Sequence, residues 1–236
     1  MSYKQKFWIR KAHRYLGLFI GLQFLLWTIS GLYFSWTNLD DIHGDQFKKD
    51  MPSVVFDSLM LGSSSIFSEK IHSLELLEIL ETPYYWINQT KLINANTGVV
   101  KNGINENEAL KISERHIVSG MKPKKVTLIE RTDNHHEVRG KKFPLFAVEF
   151  EGDQRVVAYV SQKNGQFVSV RHDAWRVFDF LWMTHTMDYQ TRDDFNTLLL
   201  RLFSLFAVIT VMSGFLLWFN SSSSLKKLKK QLHKKR

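Results

Sequence analysis

The sequence contains no cysteine. That absence excludes structural disulfides, iron–sulfur clusters, thiolate zinc sites, covalently attached c-type haem and a lipidated N-terminal cysteine. Acidic residues are missing from both ends. Residues 1–14 hold five bases (Lys4, Lys6, Arg10, Lys11, Arg14), residues 220–236 hold seven, and neither stretch has an acid. The formal charge of +9 is therefore confined to two short tails, since residues 15–219 carry 20 bases and 23 acids. A protein that grips nucleic acid carries its excess on a folded face, so a nucleic-acid partner is excluded. Also missing are G-x-S-x-G, the Walker loop, a dinucleotide fingerprint and H-E-x-x-H. Acyl transfer, nucleotide chemistry and zincin hydrolysis have no carrier here.

Long apolar runs are present. Leu16–Trp36 has 21 residues without a charge, and Leu198–Phe219 has 22 with only Arg201 near its start. Each is about 30 Å long as a helix, the hydrocarbon thickness of a bilayer. Trp36 and Trp218-Phe219 end the runs as aromatic belt residues do. The first run is longer than a signal peptide's apolar core and ends in Tyr33-Phe34-Ser35-Trp36 without a cleavage site, so it reads as an uncleaved anchor. Bases outside both runs place both termini in the cytoplasm by the positive-inside rule. The expected order is a basic tail (1–14), a span (15–37), an exterior domain (38–172), an interfacial amphipathic helix (173–189), a span (197–219) and a basic tail (220–236). In the last tail Leu225, Leu228 and Leu232 recur at helical spacing, which suits either an anionic lipid surface or a solvated topology signal.

The exterior segment reads as α+β with an antiparallel sheet. Glu106–Val118 predicts an amphipathic helix. Lys125–Arg131, Phe143–Glu151, Arg155–Ser161 and Gln166–Val170 predict strands, the last two joined by a tight hairpin whose Asn164-Gly165 supplies positive φ angles. A weaker copy of this ending, Leu92–Val99, suggests two repeats, 47–100 and 104–171, with Ser68–Leu80 as the helix of the first. Asp173–Asp188 predicts a helix with Trp175, Phe178, Leu181, Trp182 and His185 along one side.

Several of these residues carry a resemblance. Lys11-Ala12-His13-Arg14-Tyr15-Leu16-Gly17-Leu18, Ser30-Gly31-Leu32-Tyr33, the helix–strand–hairpin unit 106–170, Phe180–Tyr189, Thr191–Asp194 and Ser213-Gly214-Phe215 resemble the PepSY-associated transmembrane family. The resemblance implies a PepSY-type periplasmic domain on a bacterial inner-membrane protein. Some members of that family are haem-containing reductases that pass electrons outward to ferric siderophores, usually with two span–PepSY–span units. This chain has one, so a full redox path implies a second copy or a partner. A cytoplasmic flavoprotein or the quinol pool is the donor that the resemblance implies. The family's other implied role is a non-enzymatic, membrane-tethered accessory or protease-inhibiting module.

Without cysteine, the strong candidate ligands are the nine histidines and methionine. His13 lies at the inner mouth of the first run, with Gly17 and Gly21 following on the same helical face. That face leaves room for the macrocycle of haem b; it also reads as a helix-packing Gly-x-x-x-Gly, and His13 as an interfacial polar residue. His43 follows the outer end of the first run and His185 precedes the second, so the two are candidate axial ligands of one haem. Asp188, one turn after His185, is a candidate to orient its second nitrogen. The competing readings are a turn residue for His43 and an interfacial residue for His185. His13 and His43 are about 45 Å apart along a continuous helix and cannot share an iron. The second run has no histidine, so a haem at His13 calls for a second copy, Met212 or a partner. His135-His136, beside Asp133 and Glu137, read as a solvated hairpin tip or a metal-chelate contact.

Overall fold

A computed structural model describes residues 3–52, 56 and 70–222. The chain divides into a helical unit, residues 1–36 with 180–236, and a sheet unit, Thr37–Asp179. The leucines of the last tail lie outside the described residues.

In the helical unit, α1 runs from Tyr3 to Trp36 and α5 from Leu198 to Ser221. Both are long and apolar enough to cross a membrane. The first tail is not separate from its span, because α1 is already helical at Tyr3. Thr197 caps α5 by accepting the Leu200 N–H at 3.2 Å, satisfying one orphan donor of the first turn. The two helices are antiparallel: Phe19 meets Phe203 with ring centroids 5.1 Å apart, and His13 meets Ser213 at 2.8 Å. Ile20, Ala207 and Thr210 are buried. The end of α4 (Asp173–Thr186) belongs to this unit as well. Two α1 side chains satisfy its terminal carbonyls: Gln23 donates to Thr184 O at 3.1 Å, and the Trp27 indole to His185 O at 2.8 Å.

The sheet unit opens with a short helix, α2 (Leu39–His43), capped by Asn38, and holds two four-stranded antiparallel meanders. The first comprises β1 (Leu74–Ile79), β2 (Thr82–Ile87), β3 (Lys91–Asn94) and β4 (Val100–Lys101). The helix expected at Ser68–Leu80 is therefore a strand over Leu74–Ile79; residues 68 and 69 lie outside the described set. The Leu74–Leu77 spacing suits a helix locally. Pairing against Tyr84, Tyr85, Trp86 and Ile87 of β2 overrides it, because aromatic and β-branched neighbours favour a pleated surface.

The second meander comprises β5 (Pro123–Ile129), β6 (Leu145–Phe150), β7 (Val157–Ser161) and β8 (Phe167–Arg171), where the sequence predicts them. Helix α3 (Glu106–His116) starts at a capping box, the Asn105 side chain accepting from Glu108 N–H and the Glu108 carboxylate from Asn105 N–H. Its Ala109 and Ile112 pack into one core with Ile79, Trp86, Leu92, Phe146 and Val160, which joins both sheets. The β7–β8 hairpin is wider than a two-residue turn. Only Gly165 has positive φ (+69°), and there a Cβ would lie 3.2 Å from Ile79.

An ionic cluster ties the β5–β6 loop to the rest of the unit. Glu137 accepts from Tyr159 (2.5 Å) and from the Arg176 guanidinium (2.6 Å), while Arg139 pairs with Asp179 at 2.7 Å. Burial, and then the adjacent Glu137 carboxylate, push the Tyr159 phenol far above its ordinary range.

Candidate functional site

Two histidines of the helical unit occupy matching environments. His185 Nδ1 lies 2.7 Å from Ser30 Oγ, and His13 Nδ1 lies 2.8 Å from Ser213 Oγ. Counting hydrogens assigns the tautomers. A serine hydroxyl has one hydrogen. In each case it is directed to a carbonyl of its own helix, Leu26 O for Ser30 and Thr210 O for Ser213, both at 2.7 Å. Toward the imidazole each serine is then an acceptor, so Nδ1 carries the proton. In the neutral ring Nε2 then keeps its lone pair. That is the atom and protonation state an axial iron ligand needs.

The surroundings of the two rings differ. His13 packs against Gly214, where an added Cβ would stand 3.2 Å from its Cε1. His185 is half-buried, edge-on to Phe34 at 5.6 Å and tilted to Trp27 at 6.3 Å. Burial lowers its pKa, which favours the neutral ring. A groove of about 390 Å³ opens beside it, lined by Trp27, Trp182, Thr186, Phe195 and Leu200. Flat aromatic and aliphatic walls suit a planar, largely apolar ligand.

His13 and His185 are the residues that could hold a haem b, each through Nε2. Nothing lies within 4 Å of a Cβ added at Gly17 or Gly21, while α5 meets α1 beside them at His13, through Ser213 and Gly214. Ser30 and His13 are 17 residues apart on α1, about 25 Å, so the two histidines form separate sites.

The other sequence candidates fall elsewhere. His43 ends α2 in the sheet unit, exposed, just before Gly44 turns the chain with φ +77°. Asp188 does not act on His185. Its carboxylate accepts the Thr191 hydroxyl and the backbone N–H groups of Gln190 (3.1 Å), Thr191 (3.0 Å) and Asp194 (2.9 Å). It is buried and closes the turn that leads toward α5. Burial alone raises its pKa, but these four bonds outweigh it and hold the carboxylate well below its usual range. Met212 is exposed on α5. At the β5–β6 tip, His136 Nδ1 accepts Val138 N–H (3.3 Å) and Glu137 is held by Tyr159 and Arg176. Among the described residues no three His, Asp or Glu side chains converge on one point.

Sequence reasoning missed the two serines as site residues. Their signal was visible, since Ser30-Gly31 and Ser213-Gly214 are both Ser-Gly pairs inside apolar helices. It also missed His172, which is 1% exposed and packs edge-on against Phe47 at 5.0 Å. No protein-family model, curated protein or solved structure matches the chain.

Proposed function

We propose that the chain is a two-span inner-membrane protein that holds b-type haem through His13 and His185 and passes electrons outward to ferric iron in a chelate. The observation that carries this reading is the repeated His Nδ1–H···Ser contact, which leaves Nε2 of the neutral ring as the ligating atom of His13 on α1 and of His185 on α4, beside α1 positions about 25 Å apart. The resemblance to PepSY-associated transmembrane proteins supplies the direction of transfer, the chelate and a flavoprotein or quinol donor. The two basic, acid-free tails support cytoplasmic termini and a periplasmic sheet unit.

When bound, haem supplies reversible one-electron chemistry at iron. The chain's own residues do the rest. Ser30 and Ser213 fix the imidazole planes and tautomers, as partners of ligating histidines do. Phe34 and Trp27 flank the ring of His185 and limit water there. Because each place has one histidine, a six-coordinate iron calls for a second copy or a heteromeric partner.

The test is the absorption spectrum of the purified full-length chain after haem-supplemented expression, oxidised and reduced. A Soret band that is reduced by His13→Ala and by His185→Ala is expected. Its absence in the wild-type chain overturns the reading.

A further inference from the structure

The contacts between α1 and α5 set a register that places the bilayer differently from the apolar runs. Phe19 is level with Phe203 and His13 with Ser213, while Leu200 shares a groove with Trp27. It follows that α5 begins level with Trp27, not Trp36, and that Trp218 lies near Phe7 and Trp8. Above that level α1 is accompanied by α4 instead: Ser30 bonds His185, and Phe34 meets Trp182 at 5.8 Å.

Hydrocarbon over Leu16–Trp36 conflicts with this register at both faces. Asp188, Arg192, Asp193 and Asp194 lie in the segment joining α4, which ends beside Trp27 and Ser30, to α5, which begins beside Trp27. With hydrocarbon up to Trp36 both ends of that charged segment would lie below the surface, where ionised groups cost several kcal/mol each. At the other face the last turns of α5 would stand in water, with Phe215 63% and Trp218 60% exposed. From Phe7 to Trp27 is 21 residues, about 30 Å, one hydrocarbon thickness. In that frame Phe7, Trp8, Trp218 and Phe219 form an inner aromatic belt. The bases Arg10, Lys11 and Arg14 then start inside the inner leaflet, and side chains on a helix lean toward its N-terminus, here toward the cytoplasm. Lys11 does so, its ammonium 5.4 Å from the Trp8 ring centre.

We propose that bilayer hydrocarbon covers α1 from Phe7 to Trp27 and α5 from Leu198 to Trp218, and that residues 28–36 of α1 stand above it, clasped by the end of α4. The placement rests on the membrane reading given above. It puts His185 at the outer boundary and His13 about 9 Å inside the inner one.

The cysteine-free chain allows a direct test with single-cysteine variants of the full-length protein in sealed vesicles, right-side-out and inverted. The variants are Leu25→Cys, Leu32→Cys, Asn196→Cys, Leu205→Cys and Phe215→Cys, all at exposed positions, and the probe is a membrane-impermeant maleimide. Reaction needs the thiolate, which hydrocarbon excludes, so protected sites should react at least about tenfold more slowly. Leu32→Cys and Asn196→Cys should react from one and the same face, and the other three from neither; in SDS all five should react, which sets the scale. Protection at Leu32 or reaction at Phe215 overturns the placement. Reaction at both Leu25 and Leu205 overturns the membrane reading itself.

Discussion

Ser30 Oγ accepts the Nδ1 proton of His185 across 2.7 Å, while its own hydrogen goes to Leu26 O. One hydroxyl thereby decides which ring nitrogen is basic. Ser30→Ala removes the acceptor, and ¹⁵N NMR of the apo protein should show His185 passing from a pure Nδ1–H form to a tautomer mixture. Loss of one partly buried hydrogen bond costs about 1 kcal/mol, and Ser30→Thr should restore both.

Gly214→Ala should disturb His13, because the new methyl lies 3.2 Å from the ring. The ring must give way, lengthening its bond to Ser213, which ¹⁵N NMR of the His13 ring should report. Gly31→Ala is the contrasting case. Nothing lies within 4 Å there, so the change should stabilise α1 by roughly 0.5–1 kcal/mol in thermal unfolding.

Mild acid should destabilise the sheet unit through one buried histidine. Burial, followed by the Arg176 charge, holds the pKa of His172 below its ordinary value of 6.5. A group whose folded pKa is depressed in this way binds more protons when unfolded, so stability falls as pH drops below about 6.5. The slope should disappear in His172→Phe, measured by urea midpoint between pH 7.5 and 5.

Asp188→Asn tests the closure of the α4–α5 turn. The wild-type carboxylate takes four donors, and an amide must turn its NH₂ toward at least one of them. A loss of about 2–3 kcal/mol is expected for a buried charged acceptor. Because the carboxylate's pKa is depressed, the wild-type advantage should persist at neutral pH and fade as pH falls below 3.8.

Much of this was legible from residue pattern. Strands β5 to β8 alternate or run apolar over short stretches, and α3 announces itself through Asn105 and Glu108. His13 and His185 stood out by their position beside long apolar runs. Strand β1 did not, since Leu74 and Leu77 have helical spacing and only pairing with β2 overrides it. The α1–α5 register was equally hidden. Each run alone is long and apolar enough to span a bilayer, and which residues become level depends on how Phe19 and Phe203 interlock. The serines escaped because a hydroxyl in an apolar helix reads as packing until the opposing imidazole is in view.

Gln23 and Thr184, joined by a hydrogen bond, are 161 residues apart in the chain. Ribosomes add about 5–20 residues per second, so α1 waits on the order of 10–30 s before the end of α4 is made. During that interval Gln23, Trp27 and Ser30 lack their partners on α4. The helical unit is thus completed last, after the sheet unit has been synthesised. A chain stalled before Thr184 leaves those polar groups without the end of α4.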